Sequence, residues 1–210
     1  GLERPIVVGH MLGEVAHDGL VTTGGAHIGD LLVLVGAIAI EGTALIAREC
    51  GDEARRRGVT EEILAAARQT LDTPGISVVR PALLAAGCGG VHAMHDPTEG
   101  GLATGLHEMA WASDVGLVVE GDRIPVLPAC TELCAAFGLD PLGLIASGAL
   151  LLAVAPDGLG ALKRALDSAD LQWGVIGRVQ EREAGILLRQ GDQTHALPRF
   201  DRDEVARLFG

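Results

Sequence analysis

The chain has 210 residues, 48 % of them from the set AVILMFWYC and 21 % charged, which excludes a disordered or fibrous polypeptide and allows one domain with a sizeable core. Asp and Glu number 28 against 16 Lys and Arg, a formal net charge of −12 that speaks against a phosphate backbone or an anionic bilayer as partner. Two Trp, three Phe and no Tyr leave almost no stacking platform for bases, so neither nucleic acid nor membrane is an expected partner.

Thirty glycines cut the chain into short segments, which predicts alternating strands and helices. Ile6-Val7-Val8 and Leu31 to Val35 read as strands, with Thr23 to Asp30 as the turn before the second. Leu31 to Ile40 is the longest apolar run, well short of the about 20 residues of a membrane span. Helices are expected over Glu41 to Arg57 and Thr60 to Leu71, separated at Gly58, with Thr60 as N-cap. Within the first of these, Arg55-Arg56-Arg57 reads as a solvated face. A short helix, Pro81 to Ala86, ends at Gly87-Cys88-Gly89-Gly90. Val91 to Met94 is a strand that enters the loop Asp96 to Gly101. Leu102 to Trp111 places apolar residues at 102, 103, 106, 109 and 110, a helical stripe that leaves Thr104, His107 and Glu108 on another face. Next come a strand at Gly116 to Glu120, a helix at Leu127 to Phe137, a strand at Ala149 to Ala155 and a helix at Leu159 to Leu166. Gly174 to Gln180 and Gly185 to Arg189 read as a closing hairpin, and Asp201 to Leu208 as a terminal helix capped by Asp201. No linker or internal repeat divides the chain, so the expectation is a single α+β domain.

The loop Asp96-Pro97-Thr98-Glu99-Gly100-Gly101 carries the most chemistry. Glycines before a helix let backbone approach a ligand, and the free N–H groups of a first helical turn attract an anion such as phosphate. Asp96 and Glu99 would set two hard oxygen donors beside it, as magnesium requires. The same residues also read as a plain helix cap by Asp96 or Thr98.

Metal ligation by His92 with His95 is disfavoured, because on a strand the two side chains point to opposite faces. His10 and His17 lie in a glycine-containing region, while His27 and His195 stand alone and read as exposed or hydrogen-bonded side chains. Cys130 and Cys134, one helical turn apart, read as core packing. With Cys50 and Cys88 they are too few for a disulfide framework and are expected to be reduced thiols of a cytoplasmic protein.

The segment Val91-His92-Ala93-Met94-His95-Asp96-Pro97-Thr98-Glu99-Gly100-Gly101-Leu102-Ala103-Thr104 resembles the C-terminal domain of the hydrogenase maturation protein HypE and its relatives, in the aminoimidazole ribonucleotide (AIR) synthase or PurM superfamily. Flanking segments agree: Thr22 to Ala26 with Gly29-Asp30, Ala39 to Ala44 with Ala47-Arg48-Glu49, and Gly138 to Leu142. The resemblance implies a three-layer α/β/α domain with a mixed sheet. Such a domain follows an N-terminal domain that pairs into a homodimer, holds Mg-ATP and is expected to be absent from this chain. The glycine-rich loop would close over the phosphates through Asp96, Thr98, Glu99, Gly100 and Gly101, with Asp96 on magnesium. The His10 and His17 region would border a small-molecule or protein-bound carbonyl or amide substrate, whose oxygen is activated at the expense of ATP.

Two departures separate the chain from HypE proper. Glu99 stands where the family usually has arginine, and His95 replaces another common arginine. HypE proper also ends in a cysteine that carries the carboxamide, whereas this chain ends Arg207-Leu208-Phe209-Gly210. The resemblance therefore implies a HypE-like, AIR synthase-related protein, inactive as an isolated domain, with a non-catalytic nucleotide-binding or maturation module of the same fold as the alternative.

Overall fold

The computed structural model describes residues 6–10, 12–16 and 19–209. Seven strands form one mixed sheet: β1 Leu31–Val35, β2 Val91–His95, β3 Gly116–Glu120, β4 Leu150–Val154, β5 Trp173–Gln180, β6 Ile186–Gln190 and β7 Gln193–Ala196. Their spatial order is β2-β4-β1-β5-β3-β6-β7, antiparallel at every junction except β3 with β6.

The period of two along β1 sorts the core into two layers. Leu32 and Leu34 enter one apolar cluster with Leu102, Leu106, Met109 and Leu133. Val33 and Val35 enter another, with Leu150, Leu152, Val154, Leu162 and Leu166. The helices α1 Ile40–Glu49, α3 Glu61–Gln69, α5 Gly101–Ser113 and α6 Pro128–Phe137 supply the first layer. The second is covered by α4 Val79–Ala86 and α7 Leu159–Ser168. The result is the expected three-layer α/β/α arrangement. Cys130 and Cys134 are buried in the first layer with sulfurs 3.8 Å apart, so they pack as apolar residues. Their mutual hydrogen bond and burial push the Cys134 thiol far above its ordinary range.

Several expectations are corrected. The helix expected over Glu41 to Arg57 is two, because the chain leaves helical geometry at Cys50 before α2, Gly51–Arg56. There Arg68 of α3 donates to the carbonyl of Ala47 at 3.2 Å, satisfying an orphan acceptor at the end of α1. Thr60 does cap α3, accepting from the N–H of Ile63 at 3.3 Å. The basic run is solvated as expected: Arg55 pairs with Glu61 and Asp52, and Arg56 and Arg57 pair with Glu53.

Gly174 to Gln180 and Gly185 to Arg189 are not a hairpin, since β3 lies between β5 and β6 and bonds to both. Four of the five residues of β3 are buried, so its apolar run needs a strand on each side, and residues 181–185 step across it. The hairpin that closes the sheet is β6 with β7, whose polar sequence Gln-Thr-His-Ala carries no alternation. Ile6, Val7 and Val8 form no strand and are exposed. The outer edge of β2 that could have received them is already bridged by Thr22, whose carbonyl accepts from the N–H of Met94. The terminal helix is a short 3-10 turn, Glu204–Leu208, capped by Asp203 rather than Asp201. No helix among the described residues is long and apolar enough to cross a membrane.

Candidate functional site

The loop between β2 and α5 is built on two left-handed glycines, Gly100 with φ 76° and Gly101 with φ 68°. Both conformations disfavour any residue with a Cβ. Space forbids one as well: at Gly101 it would run into the carbonyl oxygen of Leu142, and at Gly100 into the hydroxyl of Thr104. Carbonyl Thr98 ties the loop down by accepting from Gly101 and Ala146 at 3.0 and 3.1 Å. Gly105 admits the next turn of α5 against Pro97 and the ring of His95.

Neither Asp96 nor Thr98 caps the helix. The N-cap residue is Gly100, with no side-chain cap from the loop, and its N–H donates to the carboxylate of Asp203 at 2.8 Å. The other oxygen of Asp203 accepts from Val205 at 2.9 Å, so one side chain anchors both the glycine loop and the final 3-10 turn. Beside it, Glu204 accepts from the N–H of Asp140 at 2.9 Å and pairs with Arg207 at 2.7 Å. The positive end of α5 is thus met by a carboxylate from the far end of the chain.

Asp96, Thr98 and Glu99 are exposed, and among the described residues neither carboxylate is in a hydrogen bond or ion pair. They are free oxygen donors on the rim of the glycine turn, a donor set that suits magnesium. His10 is exposed, and His17 lies outside the described residues. Sequence reasoning passed over one arrangement beside this loop: His95 Nε2 lies 3.0 Å from Glu108 Oε2, and His95 Nδ1 lies 3.2 Å from the hydroxyl of Thr23. Glu108 stands two turns into α5 on the side facing β2, a position readable only once helix and strand are docked. His107 turns the other way: its Nε2 lies 3.2 Å from the carbonyl of Pro198, and burial holds its pKa below the ordinary 6.5.

His92 and His95 take different partners, Asp30 for His92 and Thr23 with Glu108 for His95, and the pairing of β2 with β4 is irregular between Val91 and Ala93. His27, expected to stand alone, does not: it meets Asp30 and His92 at the other end of β2.

Residues 27–189 match the family model described as AIR synthase related protein, C-terminal domain. The chain belongs to that family. Among AIR synthase-related proteins it is 30 % identical over 165 residues to the carbamoyl dehydratase HypE of Bradyrhizobium diazoefficiens, covering 75 % of this chain and 44 % of that protein. The fold matches the crystal structure of Escherichia coli HypE with a TM-score of 0.70 at 23 % identity, over 90 % of this chain and 55 % of that one. It also matches a structure of HypE in complex with ATP, with a TM-score of 0.66 at 21 % identity over 92 % and 57 % of the two chains. The chain therefore spans about half the length of the relatives it matches.

Proposed function

We propose that the chain is the phosphate-closing half of an ATP-dependent, HypE-like enzyme that activates a carbonyl or amide oxygen. One observation carries the reading: two exposed carboxylates, Asp96 and Glu99, unpaired among the described residues, precede a left-handed glycine pair at the N-terminus of a 13-residue helix. Asp96 and Glu99 would hold magnesium, while Thr98 and the backbone at Gly100 and Gly101 would approach the phosphates. Support for ATP comes from the nucleotide named with one structural relative, and support for the reaction class from the name of the curated one. The greater length of those relatives supports a separate N-terminal domain as the holder of adenine and the dimer contact.

A second reading, a nucleotide-binding module without catalysis, is favoured by a different observation. Asp203 already occupies the Gly100 N–H, and Glu99 puts negative charge where phosphate would sit, so a nucleotide must displace one carboxylate and tolerate the other.

Phosphorus NMR of ATP titrated with the chain tests the site. With magnesium the phosphate resonances should broaden, with a dissociation constant no tighter than about 1 mM, equivalent to roughly 4 kcal/mol. Asp96→Asn should abolish the magnesium dependence and leave the melting temperature within about a degree, because Asp96 is exposed and unbonded. Broadening that is independent of magnesium, or untouched by Asp96→Asn, would remove the loop from the site. Turnover in a protein that also holds the nucleotide separates the two readings.

A further inference from the structure

At the end of β2 remote from the glycine loop, three side chains converge that the phosphate reading does not use. His27, Asp30 and His92 each offer one ligand atom, all within 4.8 Å of one another, and they are the one such group of three among the described residues. Asp30 is 2 % exposed, a buried carboxylate in a chain where few charged groups are. It accepts from the N–H of His27 at 2.8 Å, and His92 Nδ1 lies 2.9 Å and 3.0 Å from its two oxygens. Two donors leave part of its roughly four lone-pair positions unspent. The rings of His27 and His92 lie 4.3 Å apart, with the exposed His27 ring forming the outer wall.

We propose that His27, Asp30 and His92 are a binding site for a divalent transition-metal ion of the zinc type. Two imidazoles and a carboxylate are the nitrogen and oxygen donors that zinc, cobalt and nickel take up, and the exposed side leaves room for water to complete the shell. Metal–nitrogen and metal–oxygen bonds of about 2.1 Å place two ligands of one ion roughly 3.0–3.4 Å apart, so the spacing of His92 and Asp30 needs little change. The backbone beneath is already held. Gly29 donates to Val179, Val179 to Asp30, and Asp30 to His27, locking residues 27–30 onto β5. Ligands on such a frame lose little freedom on binding, and a net charge of −12 draws cations to the surface. The site is separate from the phosphate loop: Asp96 lies four residues along the strand from His92, about 13 Å away.

The sequence alone shows only His27-x-x-Asp30, with His92 distant along the chain. Pairing across the sheet brings the third ligand in.

Cobalt(II) and zinc(II) titrations of the 210-residue chain, under reducing conditions, test the proposal. One equivalent of cobalt should bind with visible d–d bands characteristic of low coordination number, and zinc should displace it. His27→Ala alters an exposed residue, and His92→Gln keeps an N–H to offer Asp30, so both variants should fold with unchanged circular dichroism. Each should weaken metal binding by at least about tenfold. Cys50→Ser, Cys88→Ser and His195→Ala should leave it unchanged. No bound equivalent, binding that survives both histidine substitutions, or binding lost in a cysteine variant would overturn the site.

Discussion

Asp203→Ala removes a side chain that holds two distant amides at once, and its cost can be worked from those bonds. The N–H of Gly100, at a buried left-handed position, loses its acceptor at 2.8 Å, and the N–H of Val205 loses its own at 2.9 Å. A lost N-cap acceptor costs about 1 kcal/mol, and charge opposite a helix N-terminus adds roughly 0.3–1 kcal/mol for α5. The sum is about 2–3 kcal/mol, which at roughly 2–4 °C per kcal/mol lowers the melting temperature by about 5–10 °C. Asp203→Asn keeps one acceptor oxygen and should lose about half as much. Thermal melts by circular dichroism give the stability, and amide exchange at Gly100 localises it, with faster exchange expected in the alanine variant. Asp203→Asn also removes the negative charge opposite the α5 terminus, so phosphate or ATP should bind more tightly to it than to the parent chain. A melting temperature unchanged within about a degree, together with unchanged exchange at Gly100, would refute the cap and the competition built on it.

Gly101→Ala should destabilise the chain by at least about 1–2 kcal/mol, because φ 68° strains an L-residue and the new methyl meets the carbonyl of Leu142; an unaltered melt would contradict this. The His107 pKa is lowered by burial, so the folded chain resists its protonation. Its contribution is complete above the unfolded value of about 6.5 and is lost as the pH falls from there toward the lower folded value. Urea melts of the parent chain should therefore lose stability over that window relative to His107→Gln, and parallel pH profiles would show that the ring is not buried neutral.

The sequence by itself determined the elements that carry their own signal. The apolar run of β1 after its turn signals, the Thr60 cap and the apolar stripe of α5 depend on residues close together along the chain, so local sequence alone reports them. The run from Val91 to Thr104 likewise placed a strand, a glycine turn and a helix in series, and with them the family.

Tertiary structure decided whatever depends on partners far apart in the chain. A strand with one apolar run does not state which neighbours will bury it, so β3 entered between β5 and β6, and the polar β7 formed only because β6 offered it a free edge. The cap of α5 came from Asp203, about a hundred residues away, since a free N–H takes whichever carboxylate the fold delivers. His95 met Glu108, and His27 met His92, for the same reason: hydrogen bonds and metal ligation are set by distances of a few ångströms in space, which local spacing does not encode.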